Sequence, residues 1–451
     1  MGKLFGTDGI RGVVGSDLCC ELVLKIGKAT AYVLRRHYGD NLNVLIGRDT
    51  RISGHMLESA FVSGLCYFGV NCHLAGVVPT PLVSLLVCKY KFHAGIMISA
   101  SHNPSKFNGI KIFNRFGFKL SDELEKEIED CVFGLDQEFL NFRSFYFGES
   151  FYCKDAVKDY VEHLASTVKG VDFSNLKVAV DCANGSATST AISLFKKLKI
   201  DADFFNVSPD GVNINKNCGS THIESFATCV KDGLYDLGVA FDGDADRCLA
   251  VDEKGNVVDG DQLIAIFASC MKVDGRLKNN TVVITIMSNL GFFHFAKENG
   301  INLEVTQVGD RYVLKNMIEN DYKIGGEQSG HIIFKDYSNT GDGQLTALQL
   351  MKYIKRSNRS FASLAGIMKK FPQVLVNVKA TKEQKEKYFK NREIEDYIQN
   401  KEKTLGEESR ILVRCSGTEP IIRVMIEGPN KALIEKTSKE VANRILEVVN
   451  V

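Results

Sequence analysis

The sequence predicts an α/β protein of four units, three of related α/β type followed by a smaller α+β unit. Three observations lead there. Segments 44–50 (VLIGRDT), 177–186 (KVAVDCANGS) and 281–291 (TVVITIMSNLG) each pass from a short β-branched run through a polar or glycine turn into a helix-like stretch. Continuous apolar strands alternating with amphipathic helices imply mostly parallel sheets with helices on their faces. The three segments recur at intervals of about 105 to 130 residues, so each can open one domain, an architectural repeat with almost no residue identity. After Phe371-Pro372 the pattern changes to a strand (QVLVNVKAT), a Lys/Glu-rich helical stretch, two strands (SRILVRCS and IIRVMIEG) and a closing helix. Short connections between such elements make a compact α+β unit.

The boundaries fall near 153, 255 and 370. They give α/β units at 1–153, 154–255 and 256–370 and the α+β unit at 371–451. A chain of 451 residues is too long for one ordinary core and fits three or four domains. With 44% hydrophobic and 25% charged residues it is globular. Fifty-six Lys plus Arg against 55 Asp plus Glu leave a formal charge of +1, which argues against nucleic-acid or membrane-surface partners and makes any anion binding local. The thirteen cysteines are scattered, odd in number and without a C-x-x-C pair, the usage of reduced thiols in a cytoplasmic protein. The opening MGKLFGTDGIRG has no apolar core of a signal peptide, and no run approaches a membrane span.

Four loops carry candidate chemistry. In 96–111 (IMISASHNPSKFNGIK) an apolar run ends at Ser99, and Pro104 restricts Asn103, so Ser101 and His102 project from a bend at a strand end. A hydroxyl beside an imidazole and within reach of Lys111 suits a phosphoryl acceptor and donor, although turn composition alone also accounts for Ser-His-Asn-Pro. In 237–251 (LGVAFDGDADRCLAV), Asp242, Asp244 and Asp246 stand at alternate positions between two apolar runs. Three negative charges so close repel unless a cation neutralises them, and hard oxygen donors favour magnesium, which leaves positions open for phosphate. Arg247 follows and can pair with the same phosphate. A calcium EF-hand would place glycine where Arg247 stands. A phosphotransferase working through aspartyl phosphate at Asp242 expects Thr or Val where Asp246 stands, and a solvated acidic turn is the plainest alternative.

In 323–332 (KIGGEQSGHI), glycines admit close backbone approach, and Glu327, Ser329 and His331 alternate. An extended segment would point all three one way, toward sugar hydroxyls; a glycine hairpin with exposed polar side chains is equally compatible. In 414–423 (RCSGTEPIIR), Ser416, Gly417 and Thr418 offer hydroxyls and backbone N–H groups in an anion nest flanked by Arg414 and Arg423. Near the N-terminus, FGTDGIRG adds Arg11 as a candidate phosphate contact, while GRDTRISG (47–54) reads as a turn that can be purely structural.

Taken in order, these four loops resemble the α-D-phosphohexomutase superfamily over essentially the whole chain. FGTDGIRG, NINKNCGSTHIE (213–224), MSNLG, Gly309-Asp310-Arg311 and Gln328 are similar to its branch acting on glucosamine phosphates. The resemblance implies four domains, three of related α/β type with mixed sheets and a C-terminal one that closes over the cleft. It implies interconversion of glucosamine 6-phosphate and glucosamine 1-phosphate through glucosamine 1,6-bisphosphate, a step toward UDP-N-acetylglucosamine and cell-wall polymers; a phosphomannomutase or phosphoglucomutase is the alternative. Ser101 would carry the phosphate, and one magnesium ion per site would sit on Asp242, Asp244, Asp246 and a phosphoserine oxygen. Arg247, Lys111 and Arg11 would stabilise the moving group. His102, Lys111 and His331 compete as the base, with Lys111 first on resemblance alone. Glu327 and Ser329 would bind ring hydroxyls, and Arg414, Ser416, Gly417, Thr418 and Arg423 would grip the distant phosphate. A hinge at Phe371-Pro372 and a homodimer are further family-based expectations.

Overall fold

The computed structural model describes residues 4–142, 146–415 and 420–450. They form two compact units, one of Met1–Ile286 with Asn302–Gly366, the other of Met287–Ile301 with Ile367–Val451.

The first unit holds three sheets. The first contains β1 (Ile10–Val13), β2 (Asn43–Arg48), β3 (Asn71–Val77), β4 (Ala94–Ile98), β5 (Phe107–Asn114) and β6 (Ser150–Tyr152), in the order β1-β5-β4-β2-β3-β6. The second contains β7 (Lys177–Asp181), β8 (Asp201–Phe205), β9 (Leu237–Phe241), β10 (Cys248–Asp252) and β11 (Val257–Val258), in the order β11-β10-β9-β7-β8. The third contains β12 (Thr281–Thr285), β13 (Asn302–Thr306), β14 (Ile324–Gly326) and β15 (Ile332–Phe334), in the order β13-β12-β14-β15.

Strands β2, β7 and β12 are the apolar runs that open the three repeats. Their side chains are buried nearly throughout because both sheet faces are covered. Each has two parallel neighbours: β3 and β4, β8 and β9, β13 and β14. In each repeat the second of these neighbours then pairs antiparallel with the next strand, as β4–β5, β9–β10 and β14–β15. The sheets are therefore mixed, where continuous apolar runs predict mostly parallel pairing. A short turn joins only antiparallel strands, and the connections 99–106, 242–247 and 327–331 carry the turn-forming runs Ser101-His102-Asn103-Pro104, Asp242-Gly243-Asp244 and Ser329-Gly330.

The first core gathers Ile26, Val33, Leu57 and Phe61 from two helices against Val44, Ile46 and Ile96. Helix Gly343–Ser357 is buried along most of its length, and its N-cap Asp342 accepts from Leu345 N.

In the second unit, β16 (Gln373–Lys379), β17 (Arg410–Cys415) and β18 (Ile421–Glu427) form an antiparallel sheet in the order β16-β18-β17. The Lys/Glu-rich stretch is two helices, Lys382–Lys390 and Arg392–Leu405, because Thr381 closes a capping box and Asn391 caps the second. Helix Lys431–Asn450 supplies Ile434, Val441, Ile445 and Val449 to the core. Helix Leu290–Glu298 belongs here too: Glu427, fully buried, accepts from Asn289 Nδ2, Leu290 N and Arg410 Nη2.

Candidate active site

The antiparallel turn occupies the same place in all three repeats, and each such turn is one of the loops singled out above. The β4–β5 turn carries Ser101, the β9–β10 turn carries the three aspartates, and the β14–β15 turn carries Glu327 and His331.

Ser101 is buried and sits at φ 52°, the left-handed region a side chain rarely adopts. Its backbone is held by neighbours on every side. Its N–H donates to Ser99 Oγ at 2.9 Å, and its carbonyl accepts from Arg51 Nη2 and Asn215 Nδ2, each at 2.9 Å. Arg51 also donates to the carbonyls of Asn103 and Pro104, each at 2.7 Å, and pairs with Asp49, which accepts from Ser99 Oγ at 2.6 Å. The Ser101 hydroxyl donates to Asp242 Oδ2 at 2.6 Å and lies 3.4 Å from His102 Nδ1. A Cβ at Gly243 would fall 2.6 Å from the Ser101 carbonyl oxygen, so only glycine lets the acidic turn come this close.

The three aspartates are buried, with ligand oxygens all within 4.8 Å of one another. Asp244 Oδ2 accepts from Thr80 Oγ1 at 2.5 Å and Lys111 Nζ at 2.6 Å, and Lys111 also donates to Asp246 Oδ2 at 2.9 Å. Burial, reinforced by Asp246 and Asp244, pushes the Asp242 carboxyl well above its ordinary range. Burial acts on Asp244 in the same sense, but Lys111, Thr80 and Arg11 together outweigh it and hold that carboxyl below its usual range. Asp244 Oδ1 and Asp246 Oδ1 are buried without a hydrogen-bond partner in the protein. Crowded, dehydrated carboxylates with orphaned oxygens and a hydroxyl alongside form a hard-oxygen set that fits a divalent cation.

Around this centre stand the cations. Arg247 Nη1 lies 3.1 Å from His102 Nδ1. Burial first, then the Arg247 charge, pushes His102 down to about 4, so the imidazole is neutral. Burial would pull Lys111 down, yet Asp244 and Asp246 push it up, so it is an ammonium. Arg11 bonds Asp8 at 3.1 Å and keeps a buried Nε without a partner.

The third turn is a tight hairpin, not the extended segment that would point Glu327, Ser329 and His331 one way. Glu327 N donates to the His331 carbonyl at 3.0 Å and Gly330 N to that of Glu327 at 3.0 Å. Gly330 has φ +89°, and a Cβ there would meet the Cys248 carbonyl oxygen at 2.3 Å, which seats this turn beside the acidic one. Glu327 Oε1 accepts from Gly309 N at 3.1 Å, and burial raises its carboxyl. Ser329 Oγ and His331 Nδ1 are buried polar atoms without partners.

Arg414 and Arg423 face each other in register on β17 and β18 of the second unit. Ser416, Gly417 and Thr418 lie outside the described residues. Sequence reasoning assigned no role to Asp49, Arg51, Thr80, Asn215 or Lys119, although the first two lie in GRDTRISG and Asn215 in NINKNCGSTHIE. The charges of GRDTR directly after an apolar strand were the available signal for the first two.

Known proteins resemble this chain over nearly its whole length. Residues 2–139, 158–255 and 259–371 match models described as phosphoglucomutase/phosphomannomutase alpha/beta/alpha domains I, II and III, and 375–444 match the C-terminal domain. A phosphoglucosamine mutase of Caldicellulosiruptor bescii is 50% identical over 445 residues, 99% of each chain. One of Acetivibrio thermocellus is 49% identical over 447 residues, again 99% of each. Among solved structures, a phosphoglucomutase/phosphomannomutase family protein of Burkholderia thailandensis superposes with TM-score 0.81 at 24% identity, covering 99% of this chain and 97% of that one. The Aspergillus fumigatus N-acetylphosphoglucosamine mutase, in complex with GlcNAc-6P and magnesium, gives TM-score 0.75 at 17% identity, covering 99% and 96%.

Proposed function

Because the chain belongs to the phosphoglucomutase/phosphomannomutase family of enzymes, we propose that it interconverts glucosamine 6-phosphate and glucosamine 1-phosphate through phosphorylated Ser101. The observation that carries this reading is the Ser101 hydroxyl 2.6 Å from Asp242, inside a cluster of three buried carboxylates.

In the first half-reaction the P–O bond to Ser101 Oγ breaks as a bond forms to the free O1 or O6 of the sugar monophosphate, giving glucosamine 1,6-bisphosphate. In the second, the other phosphoryl group returns to Ser101. Magnesium on Asp242, Asp244, Asp246 and an oxygen of the phosphorylated serine would supply charge neutralisation for the transfer. The chain's own contribution is position and fixed charge. The bonds from Arg51 and Asn215 fix the Ser101 backbone. Arg247, Lys111 and Arg11 line the approach as cations that stabilise the moving group. His102, Lys111 and His331 are the candidates to accept the proton of the attacking hydroxyl, Lys111 first on resemblance, and His102 Nδ1 faces the Arg247 guanidinium at 3.1 Å. Glu327, Ser329 and His331 would hold ring hydroxyls, and the segment 414–423, with Arg414, Ser416, Gly417, Thr418 and Arg423, would grip the phosphate that is not reacting.

Four domains divided near 153, 255 and 370, a homodimer and a cytoplasmic location complete the reading. All thirteen cysteines are free thiols, and among the described residues no helix is long and apolar enough to cross a membrane. Turnover measured side by side on glucosamine 6-phosphate and mannose 6-phosphate tests the substrate. A clear preference for the amino sugar is expected, and a preference for mannose 6-phosphate would move the chain to the phosphomannomutase branch.

A further inference from the structure

We propose that Lys119 is a positioning residue for this reaction, its ammonium tying the turn that carries Glu327 and His331 to the sheet that carries Ser101. The inference rests on the function proposed above and adds to it a residue that no motif marks.

Five side chains form one line within the first unit, the first four of them alternating in charge. Arg11 Nη2 donates to Asp8 Oδ2 at 3.1 Å. Lys119 Nζ donates to Asp8 Oδ1 at 2.9 Å and to Asp310 Oδ1 at 2.6 Å. Asp310 Oδ2 then lies 3.5 Å from His331 Nε2. Each member comes from a different segment. Asp8 precedes β1, which pairs with β5; Lys119 follows β5 and bridges back to Phe113; Asp310 opens helix Asp310–Asn320; His331 closes the third turn. The neighbour of Asp310 strengthens the tie, since Gly309 N donates to Glu327 Oε1. One ammonium thus sits where the Arg11 segment, the first sheet and the Glu327–His331 turn converge.

Its chemistry suits that place. The Lys119 side chain is 13% exposed and that of Asp310 12%, so water does little to screen them. Two carboxylates brought together from separate segments repel, and a compact ammonium with three donors can hold both. Lys119 draws Asp8 well below the usual carboxylate range, and although burial pushes Asp310 the other way, Lys119 keeps it low as well. Without the ammonium, Asp8 and Asp310 are left facing each other, the helix start loses its tether, and both Arg11 and His331 lose the partner of their partner. Neither would leave the site; both would be misplaced in it.

The test is steady-state kinetics on full-length Lys119→Met, which keeps the apolar stem and removes the charge, with Lys119→Arg and Asp310→Asn alongside. Ser101 phosphate occupancy and magnesium affinity are measured in the same preparations. Misplacement on the order of an ångström predicts a kcat/KM loss of roughly 10- to 100-fold in Lys119→Met. Ser101 phosphorylation and magnesium affinity should be unchanged, and Lys119→Arg should recover most of the loss. An unchanged kcat/KM overturns the inference, as does loss of the Ser101 phosphate in parallel with rate. Should Lys119→Met fail to fold, Asp310→Asn cuts the same bridge, and normal kcat/KM in that variant overturns the inference equally. Absent turnover in the wild-type control would instead sink the proposed function.

Discussion

At the scale of the residue, the site is a set of charges whose burial makes each partner indispensable. Among the described residues Arg51 is the largest fully buried side chain, and its guanidinium bonds Asp49 and three carbonyls of the serine turn. A buried pair broken from one side leaves an uncompensated charge, so Arg51→Met should destabilise the protein by about 3–5 kcal/mol, read from urea unfolding. A loss below about 1 kcal/mol would mean water reaches Asp49. The role proposed for Arg414 is in the phosphate grip, apart from the chemistry. Arg414→Ala should raise KM for the sugar phosphate by an amount equivalent to about 1.5–3 kcal/mol with kcat little changed, the signature of a lost charged hydrogen bond. A fall in kcat at constant KM would place Arg414 in the transition state instead. The meeting of Ser101 with Asp242, Asp244 and Asp246 was legible in the sequence because reactive residue types stood at strand ends with short, fixed spacing. Asp49, Asn215 and Lys119 were not. Each acts across 50 to 191 residues on groups that only the fold brings near, through Ser99, Ser101 and Asp310 respectively.

At the scale of the element, one strand–turn–strand device is used three times. Three parallel strands set up an antiparallel hairpin, and the hairpin turn carries the chemistry. The repeat was legible because β2, β7 and β12 are continuous apolar runs, whereas the antiparallel extension was not, since β10 is one more apolar run and β15 has three residues, with no alternation to mark the pairing. The split of the Lys/Glu-rich stretch depended on the caps Thr381 and Asn391 and not on periodicity. Helix Gly343–Ser357 shows what such buried elements cost. Its cap Asp342 is buried, accepts from Tyr160 Oη at 2.9 Å, and burial pushes its carboxyl up to about 7. A carboxyl raised in the folded state stabilises it fully below the unfolded value near 3.8, and that stabilisation is lost as pH rises toward 7. Wild type should therefore lose about 2–3 kcal/mol relative to Asp342→Asn between pH 5 and 8, at roughly 1.4 kcal/mol per unit. Parallel stability curves for the two proteins would show that Asp342 is ionised throughout.

At the scale of the whole molecule, the α/β and α+β division was legible from composition and order. The attachment of Met287–Ile301 to the C-terminal unit was not, since it depends on Glu427, in a distant strand, accepting from Asn289 and Leu290. The proposed function makes one covalent prediction, a phosphoryl group on Ser101, whose hydroxyl lies against the cluster of three acidic side chains. Intact mass with phosphosite mapping, before and after addition of glucosamine 6-phosphate and with Ser101→Ala as the control, tests it most directly. The account predicts one phosphoryl group on residue 101 of active wild type, stable to hydroxylamine, and a folded Ser101→Ala protein with neither phosphate nor turnover. Full turnover by Ser101→Ala, or a hydroxylamine-labile phosphate on Asp242, would contradict it.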